Sequence, residues 1–192
     1  LAYSFDWGGV SNNNKYNAIS LDYRLFIPLY DRSSSDLPLV LALNIFTMDT
    51  PSWNDYDICQ SDNGEKIKVY HRPQLFVSAN LGGEKHLRSF PRYRFYDKSL
   101  IYYSVEIRKN IKWNPFDSVK FLKQIGIDFI QLTAFADFGR VAPEWNLNTL
   151  HKEMKHSIGG GFRLFLNGMI IRVDIANGKE GTLTQMFIDH PF

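Results

Sequence analysis

The stretch NLGGEKHLRSFPRYRFYDKSLIYYSVEIR, residues 80–108, decides the fold of this chain. Its first half is a loop rich in glycine, arginine and aromatic residues, and its second half alternates between apolar and polar side chains. One face of this second half carries Ile101, Tyr103, Val105 and Ile107, and the other carries Tyr102, Ser104, Glu106 and Arg108. Because successive side chains of a β-strand point to opposite sides, the pattern predicts a strand with one apolar and one charged face.

The same alternation recurs along the chain and predicts about eight strands. They cover residues 1–8, 16–27, 37–47, 99–111, 126–140, 155–166, 169–176 and 184–192. Asn167-Gly168 predicts a two-residue hairpin turn, since both positions of a type I′ turn need positive φ. Residues 48–98 show no sustained period and are predicted to form a long irregular loop. The sequence therefore predicts an all-β, antiparallel up-and-down fold.

Composition narrows the class of protein. The 192 residues suffice for one domain, and 22 basic against 20 acidic residues give a net charge of +2, which predicts no nucleic-acid partner. No run of eighteen apolar residues exists, so a transmembrane helix is excluded, although membrane β-strands escape that test. The single Cys59 excludes an internal disulfide. Since the chain starts at Leu1, inside the first predicted strand, we interpret it as a fragment.

Apolar and polar side chains alternate in the strands of both soluble sheets and membrane barrels. The position of the charged side chains is therefore used to distinguish the two classes. On the predicted strands, the polar face carries charges at mid-strand and the apolar face carries none there. These mid-strand charges are Asp22, Arg24, Glu106, Asp137, Arg163, Arg172 and Asp174. Short and long connections also tend to alternate, as in outer-membrane barrels. We therefore favour a transmembrane β-barrel; the alternative, a soluble β-sheet binding protein, predicts that the apolar faces meet each other.

Five short motifs in the predicted order resemble those of the bacterial surface antigen superfamily, which includes BamA- and TamA-type assembly factors and two-partner secretion transporters. Gly82 and Gly83, followed by Leu87, Arg88, Ser89 and Phe90, resemble the family's Gly-Gly and [VI]-Arg-Gly-[FY] loop motif. Residues 106–108 (EIR), 135–139 (FADFG) and 172–176 (RVDIA) resemble its strand motifs, and Phe192 resembles its C-terminal signal. Family barrels have sixteen strands, so the resemblance implies that residues 1–192 form the C-terminal half of a barrel. Residues 48–98 would then be an extracellular loop.

The resemblance also implies a site inside the barrel. Arg88 would fold back into the lumen and contact Glu106 and Asp137, which lie on the polar faces of neighbouring predicted strands. The alternative is that both acids are solvated lumen residues and that Arg88 is a surface arginine. Further lumen charges would be Arg108, Arg172 and Asp174. Ser89 replaces the glycine of the family motif, which predicts a strained turn if that position needs an unusual φ.

The implied function is to assist the insertion of proteins into the bacterial outer membrane or their translocation across it. The expected partners are outer-membrane lipid, substrate proteins and accessory assembly proteins. The alternative is a barrel that anchors or exports a fused upstream enzyme, such as a patatin-like lipase or a phosphoesterase. No enzymatic activity, cofactor or metal site is expected in this chain. His151 and His156 are wrongly spaced for a metal pair, and G-x-S-x-G and P-loop motifs are absent.

Overall fold

The computed structural model describes residues 2–6, 16–29, 39–53, 56–61, 63–71, 73–76, 78–111, 127–166 and 169–189. Its main element is an eight-stranded antiparallel sheet in the order β1-β2-β3-β8-β9-β10-β11-β12. These strands are β1 (Ala2–Asp6), β2 (Tyr16–Leu29), β3 (Leu39–Asp49), β8 (Ser99–Ile111), β9 (Ile127–Ala142), β10 (Lys155–Leu166), β11 (Met169–Gly178) and β12 (Gly181–Asp189). The predicted all-β, antiparallel class is confirmed.

The region between β3 and β8 departs from the sequence prediction. It was expected to be irregular, yet it contains two small antiparallel hairpins, which form separate two-stranded sheets. Their strands are β4 (Tyr56–Gln60), β5 (Lys66–Tyr70), β6 (Ala79–Leu81) and β7 (Phe95–Asp97). Strands of three to five residues are too short to show a period in the sequence, so the alternation test missed them.

The end of the sheet also differs from the prediction. β11 continues to Gly178 and β12 begins at Gly181, three residues before the predicted start of the last strand. Gly178 and Gly181 are register partners, which leaves two residues for the turn, and Gly181 has a φ of +124°. A glycine at this φ is unstrained, so the hairpin can close earlier than the apolar pattern suggests. The predicted Asn167-Gly168 turn and the terminal Phe192 lie outside the described residues.

The sheet has two free edges. Within the part of the chain that the structure describes, β1 pairs only with β2 and β12 only with β11, and no closed barrel is formed. The one described helix, α1 (Leu147–Leu150), has four residues. This helix is too short to cross a membrane, and the described residues contain no other helix.

The two faces of the sheet differ sharply in burial. The outer face, on which Val105 and Leu132 lie, exposes large apolar side chains from β2 to β12. The inner face, on which Glu106 and Asp137 lie, is covered in part by residues 79–95 of the connection between β3 and β8. A small apolar core forms between that connection and the sheet: Ala79, Leu81, Leu87, Phe90, Leu100 and Tyr102. The inner face therefore holds both the core and the buried charges.

Candidate functional site

Loop 82–94, which connects β6 to β7, folds back onto the inner face through two glycines. Gly82 and Gly83 have φ angles of +112° and +94°. The Gly83 N–H donates a hydrogen bond of 2.8 Å to the Phe90 carbonyl and so closes the base of the loop. A Cβ on Gly82 would lie 2.1 Å from the Pro91 carbonyl oxygen. Both the backbone angles and the close approach therefore require glycine here.

Leu87 and Phe90 anchor the loop. Both side chains are fully buried in the apolar core, and the Phe90 ring packs edge-on against Phe95 with 5.0 Å between ring centroids. The strain expected at Ser89 is absent, because Ser89 does not have a positive φ. Leu87 has a φ of +58° instead, a conformation that non-glycine residues adopt rarely. Burial of the Leu87 side chain offsets that cost.

Arg88 makes the contacts that the sequence predicted. Its side chain is 3% exposed. Its Nε and Nη2 donate to the two carboxylate oxygens of Asp137 at 2.9 and 2.8 Å, and its Nη1 donates to Glu106 Oε2 at 2.8 Å. This two-point contact uses the planar fork of arginine against a carboxylate. The predicted pairing is present, and the alternative of solvated acids is wrong because Glu106 and Asp137 are 5% and 0% exposed.

Arg88 has three further partners that sequence reasoning did not assign to it. Its Nη2 donates a hydrogen bond of 3.3 Å to the Ser104 hydroxyl. Its Nη1 lies 3.4 Å from Asp174 Oδ2, and its guanidinium carbon lies 3.2 Å from the centroid of the Phe135 ring. Asp174 was expected only as a separate lumen charge, although its fully buried carboxylate contacts the loop arginine. The contact to Phe135 is a cation–π interaction, which is strongest where water is excluded.

The Asp137 carboxylate accepts hydrogen bonds from several residues. Besides the Arg88 side chain, it accepts hydrogen bonds from the Tyr102 hydroxyl at 3.0 Å and the Ser104 hydroxyl at 2.8 Å. It also accepts the backbone N–H of Arg88 at 3.2 Å. These donors replace the water that the carboxylate loses when it is buried. Asp137 thus fixes both the side chain and the backbone of the loop.

Glu106 is shared by three arginines. It contacts Arg88, Arg163 and Arg108, whose Nε donates to Oε1 at 2.7 Å. Arg172 pairs instead with Asp174, through an Nε–Oδ2 hydrogen bond of 2.6 Å. We call these seven side chains the arginine–carboxylate cluster: Arg88, Glu106, Arg108, Asp137, Arg163, Arg172 and Asp174. Four cations and three anions leave it one positive charge in excess. An open cavity of about 590 Å³ lies beside it.

The strand register explains how distant residues meet. Ser104, Asp137, Ser157 and Gly178 form one row across four strands, because each is the register partner of the next. The adjacent row runs through Glu106, Phe135, Gly159 and Ala176. The first row receives the backbone of the loop and, at Asp137, two hydrogen bonds from the Arg88 guanidinium. The second row adds the contacts of the guanidinium with Glu106 and Phe135. Asp174 lies in the next row, which runs through Arg108, Thr133 and Gly161, so three successive rows on one face provide the partners of the loop arginine.

Gly159 leaves the space that Phe135 occupies beneath Arg88. A Cβ at this position would lie 2.2 Å from the Ile175 carbonyl oxygen and 2.6 Å from Phe135 Cζ. We expect Gly159→Ala to lower the free energy of unfolding by about 1–3 kcal/mol, since the strands or the ring must shift. Gly160→Ala is the matched control, because a Cβ there meets only the Thr133 carbonyl at 3.1 Å. Equal denaturation midpoints for the two variants would contradict this account.

His86 lies just before the anchoring residues and is held between aromatic rings. It stacks on Phe46 with 4.5 Å between centroids and meets Tyr102 edge-on at 4.8 Å. Burial lowers the pKa of His86 to about 4, since the charged ring would lose its hydration. Smaller and opposing effects come from the charged groups that face it, which are Asp22, Lys85, Asp137 and Arg24.

This depressed pKa predicts a pH dependence of loop binding. The docked loop favours neutral His86, so its stability is full above the ordinary pKa of 6.5 and falls as the pH drops toward 4. The loss across this window is about 3 kcal/mol. It can be measured as faster amide hydrogen exchange at Ser89, corrected for intrinsic rates. His86→Phe should remove the dependence, and His156→Gln, on an exposed residue of β10, should keep it. An unchanged profile in His86→Phe would refute the assignment.

Nothing in the described part of the chain offers a metal site, because no three His, Cys, Asp or Glu side chains are grouped suitably. The contacts described above are ion pairs, hydrogen bonds and packing contacts. Comparisons with known proteins add no relative: no family model, no curated protein and no solved structure matches the chain.

Proposed function

We propose that this chain is part of a transmembrane β-barrel in a bacterial outer membrane, and that its docked loop assists the insertion or translocation of other proteins. The observation that carries the proposal is the inverted burial of the sheet. Charged side chains such as Arg88, Glu106 and Asp137 are buried on the inner face, whereas large apolar side chains on the outer face are exposed. A water-soluble sheet would have the opposite distribution.

The exposed apolar surface is extensive. It runs across the outer face from β2 to β12 and includes Ile19, Leu21, Ile45, Val105, Leu132, Ile158, Ile175 and Ile188. In water each square ångström of such surface costs about 25 cal/mol, and soluble monomers rarely leave a contiguous patch of this kind. Contact with lipid removes that cost. In the described residues no second sheet covers this face, which weighs against the soluble alternative.

The two free edges fit the same proposal. β1 and β12 each leave one row of backbone groups unpaired within the described sheet. Unpaired edges are unfavourable inside a membrane, where no water satisfies the backbone. We propose that strands outside this sequence pair with both edges and complete a sixteen-stranded barrel. β12 would then form one side of a seam at which substrate strands are received.

The docked loop provides the functional element of the proposal. It lies on what would be the lumen wall, and its arginine joins β8, β9 and β11 through Glu106, Asp137 and Asp174. β11 is the direct neighbour of β12. Docking of the loop therefore stabilises the part of the wall next to the proposed seam, and release of the loop would loosen it.

The membrane topology can be tested with neighbouring residues on opposite faces. Spin labels would be placed at Leu132 on the outer face and at Gln131 on the inner face, in a Cys59→Ser background, in the intact gene product reconstituted in lipid bilayers. We expect the label at residue 132 to be accessible to oxygen and the label at 131 to a water-soluble nickel reagent. Equal accessibility of both labels to the nickel reagent would refute the barrel.

The activity can be tested in the same preparation. Liposomes containing the intact protein should accelerate the insertion of an unfolded outer-membrane barrel, and the Arg88→Ala variant should lose most of that acceleration. If the wild-type protein is without effect on insertion and on translocation, the proposed function is wrong even where the barrel itself is correct. An enzyme activity encoded upstream, unaffected by Arg88→Ala, would favour the anchoring alternative.

A further inference from the structure

Gly178, the last residue of β11, lies directly against Ser89 of loop 82–94. A Cβ on Gly178 would be 2.1 Å from Ser89 Oγ and 3.0 Å from Ser89 Cβ. Ser89 is itself 4% exposed, so its side chain cannot move away into solvent while the loop stays docked. The Ser89 hydroxyl has no hydrogen-bond partner in the described structure. The contact between Ser89 and Gly178 is therefore steric and involves no hydrogen bond of the Ser89 hydroxyl.

Gly178 completes a row of contacts that fixes the loop backbone. The Arg88 N–H donates to Asp137 on β9 at 3.2 Å, and the Ser89 N–H donates to Ser157 on β10 at 2.9 Å. The Ser89 side chain then fills the space over Gly178 on β11. Asp137, Ser157 and Gly178 are register partners in turn, so two consecutive loop residues meet three consecutive strands at one level.

We propose that Gly178 is a positioning residue for the loop arginine: by lacking a side chain it admits Ser89, and this places the Arg88 guanidinium against its carboxylates. Any larger residue at 178 would lift the loop from the wall at Ser89, one residue from Arg88. The size of residue 89 and the size of residue 178 are thus matched to each other. The proposal deepens the proposed function and rests on it only for its effect on transport, since docking can be measured by itself.

The test is a double-mutant cycle on residues 89 and 178 in the intact protein. Amide hydrogen exchange at Arg88 and Ser89 reports docking, and substrate-barrel insertion in liposomes reports function. We expect Gly178→Ala to accelerate exchange by on the order of tenfold or more. Ser89→Gly alone should accelerate exchange much less, because the CH2OH group that it removes makes no hydrogen bond and the backbone N–H that donates to Ser157 is kept. The Ser89→Gly/Gly178→Ala double variant should recover most of the protection.

Recovery in the double variant is the outcome that a general loss of folding would not produce. If the double variant exchanges as fast as Gly178→Ala, the damage comes from the His156 carbonyl, which a Cβ at 178 would meet at 3.0 Å, and the proposal is overturned. It is also overturned if Gly178→Ala leaves exchange unchanged. Loss and recovery of docking without a matching change in insertion would support the positioning role and count against the proposed function.

Discussion

Replacing Arg88 with alanine is expected to release loop 82–94 from the inner face and to lower the free energy of unfolding by about 3–5 kcal/mol. The substitution leaves three buried carboxylates, those of Glu106, Asp137 and Asp174, without the cation that joins them. Removing one partner of a buried ion pair costs more than the pair itself contributes, because the remaining charge is desolvated. Denaturant unfolding and amide exchange at Ser89 measure the two effects.

Two controls accompany this experiment: one separates charge from geometry at residue 88, and the other tests whether the effect is specific to the buried arginine. Arg88→Lys keeps the positive charge but offers a single ammonium in place of a planar fork, so it should restore only part of the stability. Arg92→Ala removes an exposed arginine of the same loop, which pairs with Glu84 at the surface, and should change little. If Arg88→Ala behaves like Arg92→Ala in both measurements, the cluster does not hold the loop.

Glu106→Gln is expected to have the second largest effect, because one carboxylate serves three guanidinium groups. Arg88, Arg108 and Arg163 all contact it. An amide would leave Arg108 and Arg163 without a carboxylate partner among the described residues, whereas Arg88 would keep Asp137 and Asp174. The excess charge of the cluster would rise from one to two. We expect a loss of about 3–5 kcal/mol in the free energy of unfolding, since the site is buried. Thermal and denaturant unfolding of the wild-type protein and the variant, both in one detergent, would measure this loss.

The matched control for Glu106→Gln is Glu180→Gln. Glu180 also accepts a hydrogen bond from an arginine, Arg94, at 2.8 Å, but both side chains are exposed. Exposed pairs contribute little, so this variant should keep the stability of the wild-type protein. Adding Arg163→Met to Glu106→Gln should recover part of the loss, because it removes one of the uncompensated cations. A double variant that is no more stable than Glu106→Gln alone would argue against charge excess as the cause.

The strands of the main sheet could be predicted because each is long enough to alternate several times. β8 and β10 have the predicted bounds, and the pairing of Arg88 with Glu106 and Asp137 follows from motif order and from strand parity. Parity determines which face a side chain occupies, and a buried face determines the register. This is why a site built from two neighbouring strands was accessible to sequence reasoning.

The remaining parts of the site depend on register between strands that are far apart in the chain. Neither the approach of Asp174 to Arg88 nor the placement of Ser157 and Gly178 under Ser89 leaves a local pattern. The run Gly159–Gly161 fits either a bend in the strand or a close neighbour, and the sequence cannot identify the ring of Phe135 as that neighbour. Hydroxyl donors such as Tyr102 and Ser104 were counted only as polar-face residues. A structure is needed to show which of them meets a carboxylate.

The sequence separations within the arginine–carboxylate cluster have a consequence for the order of folding. Arg88 is 18 residues from Glu106, 49 from Asp137 and 86 from Asp174. Long closures cost more chain entropy and form later, so the contact with β11 should be the last of the three. Until β11 joins the sheet, Arg88 lacks one carboxylate and Ser89 lacks the space over Gly178. Complete burial of the loop arginine would thus require that β11 has already joined the sheet.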